Sequence, residues 1–392
     1  MSRRIYADNA ATSFPKPPEV LAAMTEYAQE LGASAGRGAY REAVAAGEML
    51  AACRGRIARL IHAEEPRRII FTLNCTEALN LALRGMLRPG DHVVTTRFEH
   101  NSILRPLHEL AAIGIETTYV PVDRATGRVD ADEMRGSLRP NTRLVALQHG
   151  SNVTGTLQPV EEVGRLCRER EITFLVDAAQ SLGHIPVDVR ALGIDLLAFP
   201  GHKALMGPLG TGGLYIRPGL EAQLRPLMAG GTGSISELPT QPEFMPDKYE
   251  SGSHNSIGLV GLGAAAAWVL ERGVESLRRH EVALCQRFLD GVANIDGLML
   301  YGPRDVEQRV GVFSVRVEGM EPSEMSAVLE SEFDILTRSG IHCAPWAHDT
   351  LGTHADGGAT RLSFGAFTTE AEVDACVEAL AAVAAPTDAT TS

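Results

Sequence analysis

From residue 68 onward, short apolar runs alternate with longer stretches whose apolar positions recur at helical spacing. RIIFT (68–72), HVVTT (92–96), TTYVPV (117–122), RLVALQH (143–149), TFLVDAA (173–179), DLLAF (195–199) and GGLYIR (212–217) read as strands, with helices over 76–87, 102–113 and 160–170. Most of these runs are continuously apolar, as strands covered on both faces must be. The pattern predicts an α/β fold, a mostly parallel central sheet between layers of helices. Ahead of it, residues 17–31 and 41–62 are expected to be helical, with a loop at Gly36-Arg37-Gly38 between them and an extended arm before residue 17. Residues 218–255, rich in Gly, Pro and Ser, read as a long loop. Beyond it come helices over 257–272 and 274–292, an alternating strand over 310–319, a helix over 322–333, a loop over 337–360, a strand at 361–364 and a helix over 369–384. The expected division is an arm (1–16), a large domain (17–255) and a smaller α+β domain (256–392) to which the arm contributes.

Composition narrows the class. The 392 residues are 44% hydrophobic and carry a net charge of −13, which argues against nucleic acid or an anionic membrane as partner. No apolar run reaches the ~18 residues of a membrane-spanning helix. The first residues, MSRRIYADNAATSF, lack the apolar segment of a secretory signal, so a cytoplasmic protein is expected. Six cysteines are scattered without CxxC pairs, which is neither a zinc pattern nor a disulfide framework; no metal site is expected.

The candidate chemistry lies at strand ends, where ligands bind in open α/β sheets. The chain holds only three lysines, Lys16, Lys203 and Lys248. Lys203 lies just past the strand ending at Phe199, before the glycine-rich GPLGTGG. Asp177 ends another strand. An acid and a lysine so placed suit a pyridine cofactor, the acid keeping the ring nitrogen protonated and the lysine forming the imine link. Thr76, with the backbone at Cys75, opens a helix after a strand and could take a phosphate. His100, shortly after another strand, could stack on a flat ring. Singly, each has a commoner structural explanation: Asp177 capping a turn, Thr76 as an ordinary N-cap, His100 as a turn histidine. Cys343, in TRSGIHCAPWAH, sits in a Gly- and Pro-flanked loop beside His342 and near Arg338, where positive charge favours a thiolate nucleophile. Arg361 opens a strand and could clamp a carboxylate. GPLGTGG lacks the lysine and strand–helix context of a nucleotide loop.

Taken together, YADNAATSFPKPPEV, FTLNCTEALNLA, EHNSILRPL, HGSNVTGTLQPV, LVDAAQSLGHIPVDV, PGHKALMGPLGTGGLYI, YESGSHNSIGLVGLGAA, RSGIHCAPWAH and RLSFGAFTTEAEV resemble the cysteine desulfurases. These are class V aminotransferase relatives among the fold-type I pyridoxal phosphate enzymes. The match runs from about residue 5 to 384, and the short cysteine loop is similar to the SufS-like branch. The resemblance implies Lys203 as the Schiff-base lysine, Asp177 on the pyridine nitrogen, Gln180 on the ring oxygen and His100 stacked on the ring. It implies Cys75, Thr76 and His202 at the phosphate, with Ser253 reaching in from the second subunit of a homodimer. Asn152 and Arg361 would bind the carboxylate of L-cysteine, with Arg338 and Arg37 nearby, and Cys343 would accept the sulfur and pass it to an acceptor protein. Pro200 departs from the family, where a serine two residues before the His-Lys pair gives the phosphate a hydroxyl and an N–H. Three alternatives share most of these residues: a selenocysteine lyase, another C–S lyase or class V aminotransferase-like enzyme, and a non-catalytic scaffold.

Overall fold

In the computed structural model, which describes residues 4–36, 38–235 and 237–385, the apolar runs form a single seven-stranded sheet. A short strand β1 (Ile5–Tyr6) and helices α1 (Pro18–Glu26) and α2 (Arg41–Leu60) lead into it. Then come β2 (Ile69–Thr72), α3 (Cys75–Met86), β3 (His92–Thr96), α4 (Asn101–Ala111), β4 (Glu116–Val120), α5 (Ala131–Gly136), β5 (Thr142–Gln148), α6 (Val160–Glu169), β6 (Thr173–Asp177), β7 (Leu196–Pro200) and β8 (Gly212–Ile216). The strand order is β2-β8-β7-β6-β5-β3-β4. β8 is antiparallel to both neighbours and the remaining pairings are parallel, so the sheet is mixed but mostly parallel, as expected.

The continuous apolar runs have a direct cause. In β7, Leu197 and Phe199 enter one core while Leu196 and Ala198 enter the core on the opposite face. β5 divides in the same way, Val145 and Leu147 against Leu144 and Ala146. Successive side chains point to opposite faces, so a strand covered on both sides needs apolar residues at consecutive positions. At the edge of this arrangement, a Cβ on Gly212 would stand 2.8 Å from the Phe199 carbonyl oxygen and 2.8 Å from the Asn74 carbonyl carbon. Glycine there lets β8 lie close against the turn that opens α3.

The rest of the chain forms α7 (Ser256–Arg272), α8 (Val274–Val292), β9 (Leu298–Tyr301), β10 (Val312–Val317), α9 (Pro322–Phe333), β11 (Ile335–Leu336), β12 (Arg338–Gly340), α10 (Pro345–Leu351), β13 (Ala359–Ser363) and α11 (Glu370–Ala384). Strands β12-β13-β10-β9 make a second, antiparallel sheet. Its core gathers Phe288, Phe313 and Phe364 with Ala7 from the arm, and β1 pairs in parallel with β11, which binds the arm to this side.

One expected boundary is redrawn as a proposal, and one expectation is corrected. The boundary at 255/256 does not coincide with the division between the cores: Leu259, Leu262, Ala265 and Val269 of α7 are buried in the large core, against α1 and α2. An apolar helix follows the core it can bury against, and we propose Gly273, between α7 and α8, as the division. The segment 337–360 is not a plain loop, because it holds β12 and α10. Arg37 lies outside the described residues. Among those residues no single helix is long and apolar enough to cross a membrane.

Candidate active site

The carboxyl ends of β5, β6 and β7 and the N-terminus of α3 surround one cavity. Cys75, Thr76, His100, Ser102, Asn152, Asp177, Gln180, Pro200, His202 and Lys203 all line it. Parallel strands deliver this convergence, since each ends at the same rim.

Asp177, the last residue of β6, is buried; its Oδ1 accepts from the Ala179 N–H at 2.9 Å and from the Cys75 thiol at 3.4 Å. Burial pushes its carboxyl up, partly offset by the Ala179 amide and the nearby Lys203 charge. The Cys75 thiol is pushed well up, by burial first and by Asp177 second, so it stays a neutral donor to that carboxylate. Lys203 keeps some surface toward the cavity, yet the protein packed around it lowers its amine pKa. Asp177 and Cys75 act against that shift, while Arg361 and Arg338 add to it.

The α3 end of the cavity, where a phosphate was expected, differs from expectation in one detail. The N-cap of α3 is Asn74, whose side chain accepts from the Glu77 N–H at 2.9 Å, while the Glu77 carboxylate accepts from the Leu73 N–H at 2.6 Å. Thr76 is therefore not the cap. Its hydroxyl instead meets Ser102 Oγ at 2.8 Å. Sequence reasoning missed Ser102. The available signal was its place two residues after His100, at the start of α4, where a serine hydroxyl faces what the turn presents. Pro200, which ends β7 opposite Gly212, offers neither hydroxyl nor N–H, and the Thr76–Ser102 pair supplies hydroxyls at the same rim.

His100 caps α4. Its Nδ1 accepts from the Ser102 N–H at 3.0 Å and lies 3.0 Å from Ser102 Oγ, which places the ring proton on Nε2. Burial, then the Lys203 charge, lower its pKa to about 4, so the ring is neutral and flat-faced near pH 7. His202 is lowered to about 4, first by burial and then by Lys203 and Lys16, and its buried Nδ1 has no partner among the described residues. The arm is pinned underneath: Thr12 Oγ1, the Ser13 N–H and Lys16 Nζ all donate to the His202 carbonyl. Gln180 Nε2 donates to the Ala10 carbonyl at 3.0 Å.

A second cluster stands over the cavity. Arg338 and Arg361 are cross-strand partners of β12 and β13. Arg361 is 1% exposed, ion-paired to Asp8 Oδ1 at 2.6 Å and donating to the Asn152 carbonyl at 3.1 Å. Its buried Nε–H and the Asn152 Oδ1 have no partner among the described residues. Asn152 Nδ2 donates to the His342 carbonyl at 2.6 Å, which links the cavity to the cysteine turn. Cys343 is exposed, with Arg338 Nη2 at 3.7 Å from its sulfur, and its carbonyl accepts from the Asn101 N–H at 2.8 Å. His342 and Cys343 have φ of 52° and 59°, consecutive left-handed residues that lack glycine's freedom. Asp8 was another omission, although it is the sole acid in the first 18 residues. Ser253 is exposed in the loop before α7 and does not line the cavity.

This donor set suits a flat ligand with an anion at the hydroxyl end and a cation at the Asp177 end. Similar chains agree. A probable cysteine desulfurase of Methanothermobacter thermautotrophicus is 38% identical over 97% of this chain and 94% of its own length. The apo structure of a cysteine desulfurase from Thermococcus onnurineus superposes with a TM-score of 0.91 at 34% identity, covering 97% of this chain and 94% of its own. The Escherichia coli cysteine desulfurase CsdA, solved as an S-sulfonic acid, gives 0.85 at 28% identity, with 96% and 94% covered. The aminotransferase class-V family model matches residues 5–376, and the chain belongs to that family.

Proposed function

We propose that the chain is a pyridoxal phosphate-dependent cysteine desulfurase that converts L-cysteine to L-alanine and carries the sulfur as a persulfide on Cys343. One observation carries the reading: an exposed thiol with a guanidinium at 3.7 Å stands over a cavity that pairs a lysine of lowered pKa with a buried carboxylate. The lysine and carboxylate alone fit many coenzyme enzymes; the thiol adds sulfur.

The residues fit the coenzyme. The α3 N-terminus, Thr76, Ser102 and His202 would hold its phosphate, His202 through the Nδ1 that otherwise lacks a partner. Asp177 would hold the protonated ring nitrogen, Gln180 the ring oxygen, His100 the ring face and Lys203 the covalent link. When bound, the coenzyme supplies an electron-accepting ring for the charge left as the substrate Cα loses its proton. The remaining work falls to the chain. Arg361, through its unpartnered Nε–H, and Asn152 would fix the substrate carboxylate. Lys203, its pKa lowered by burial, would take the Cα proton. Cys343 would then attack the substrate sulfur. An S–S bond forms, the C–S bond breaks with its electron pair left on the substrate carbon, and that carbon takes a proton to become the methyl group of alanine. We further infer a homodimer, with Ser253 of one copy serving the phosphate end of the other, and a sulfur-acceptor protein that meets the exposed Cys343.

Alanine and protein-bound persulfide formed from L-cysteine test the reading. Cys343→Ala is expected to keep the coenzyme's colour and lose both products. Undiminished alanine from that variant would instead favour a C–S or selenocysteine lyase.

A further inference from the structure

A cavity of about 50 Å³ that Lys203 also lines lies between the large core, the arm and α8. On its wall stands a part-buried ionic cluster that the proposed reaction does not use. His184, seven residues beyond Asp177, has Nδ1 at 2.8 Å from Glu281 Oε1 and Nε2 at 2.8 Å from the Gln180 carbonyl. Glu281 belongs to α8. Its Oε1 also accepts from the Gly311 N–H at 2.7 Å, and its Oε2 from Arg278 Nη1 at 2.8 Å. Arg278 is anchored in turn on the carbonyls of Arg309 and Val306.

Both partners of the His184 ring are acceptors. A carbonyl can only accept, and a carboxylate that receives an amide N–H and a guanidinium stays ionised. A neutral imidazole has one N–H and can satisfy one of them; two bonds need the imidazolium. We propose that His184, as a part-buried imidazolium gripped by Glu281 and the Gln180 carbonyl, is a positioning residue that holds α8 against the turn after β6 that carries Gln180. Through α8 and Gly311, it sets how the side bearing Arg338, Cys343 and Arg361 sits over the cavity. That consequence for the reaction rests on the desulfurase reading; the grip itself does not.

The surrounding groups agree. Burial acts to lower the His184 pKa, but the Glu281 charge and the hydrogen bonds to Glu281 and Gln180 outweigh it, and the pKa is raised. Burial would raise Glu281, yet His184 and Arg278 hold it low. The charged and titratable groups facing the pair are Arg278 and Cys285 of α8, Arg309 before β10, and His149 after β5; His280 and Lys203 share its cavity. His149 is neutral near pH 7, lowered to about 4 by burial and then by His184 and Arg278. A histidine of raised pKa stabilises the fold fully below its unfolded value of about 6.5 and loses that contribution as pH rises through the folded value.

Thermal unfolding of the coenzyme-loaded protein tests this with His184→Gln, Glu281→Gln and the double variant. The non-additive part of the Tm loss is expected to be larger near about pH 6 than near about pH 9, since it fades as pH rises through the raised folded value. His184→Arg, charged throughout and with the cavity beside it, keeps a Tm difference from His184→Gln at the higher pH. A coupling of equal size at both pH values, or none at either, overturns the grip. If His184→Gln does not fold, nitrogen NMR of the wild-type ring decides, since one protonated nitrogen near neutral pH overturns it and two support it. In turnover, His184→Gln should raise KM for cysteine about tenfold with kcat within about twofold. An unchanged KM in an active enzyme overturns the positioning role, while a wild type that makes no alanine sinks the desulfurase reading and leaves the Tm coupling to judge the grip.

Discussion

The strand-end rim and the cysteine turn are built on opposite principles. At the rim, Asp177, Lys203 and Thr76 follow strands whose positions are set by consecutive burial on two faces, and each side chain inherits its place from a local pattern. At the turn, Cys343 is placed by distant partners: Arg338 pairs with Arg361 across a ladder, Asn152 holds the His342 carbonyl, and Asn101 holds that of Cys343. The rim holds its lysine amine among packed groups that lower its pKa, whereas the turn keeps its thiol exposed beside a cation. A group that must lose a proton inside a cavity gains from desolvation. A group that must hand sulfur to an outside acceptor gains from exposure.

Breaking the rim should have the largest effect. Lys203→Ala is expected to lower the alanine-forming rate by roughly 10³-fold or more and to alter the colour of the loaded protein, measured by turnover and absorbance. A near-normal rate would show that another group takes the Cα proton. Next comes the turn. Cys343→Ser should abolish persulfide formation with a change in Tm of only about 1 °C, because the side chain is exposed and the carbonyl anchor stays. A large fall in Tm would mean that the thiol is structural.

Asp8→Asn tests the link between the two regions. It leaves the Arg361 guanidinium buried without its carboxylate, at a cost of about 3 kcal/mol in chemical denaturation, and should raise KM for cysteine. A neutral result would mean that Arg361 finds another anion. Acid sensitivity is a separate test of the rim. His100, His149 and His202 are lowered to about 4 by burial, so the unfolded chain binds more protons between about pH 4 and 6.5. Tm should therefore fall as pH drops through that window. A Tm independent of pH there would show these rings already charged in the folded state.

The same contrast explains what the sequence made legible. The alternation of runs located β2 to β8 to within a residue or two, and with them the rim, because burial on two faces leaves a local signature. It failed over 337–360, where β12 is three residues long and exists only because β13 pairs with it. It assigned α7 to the smaller unit, whereas we propose the division at Gly273, since an apolar helix does not announce which core will receive it. Ser102 and Asp8 escaped notice because their roles come from contacts to Thr76 and Arg361, 26 and 353 positions away. The resemblance supplied Gln180, which no local pattern singles out, and the role of Asn152, which itself follows the strand-like run 143–149 by three residues.

The most direct measurement is mass spectrometry of the peptide carrying Cys343 after the coenzyme-loaded protein meets L-cysteine, with alanine counted in parallel. One added sulfur atom on Cys343, and none on the five buried cysteines, with alanine formed in step, is the predicted result. Alanine released with Cys343 unmodified, and at an undiminished rate from Cys343→Ala, would contradict it.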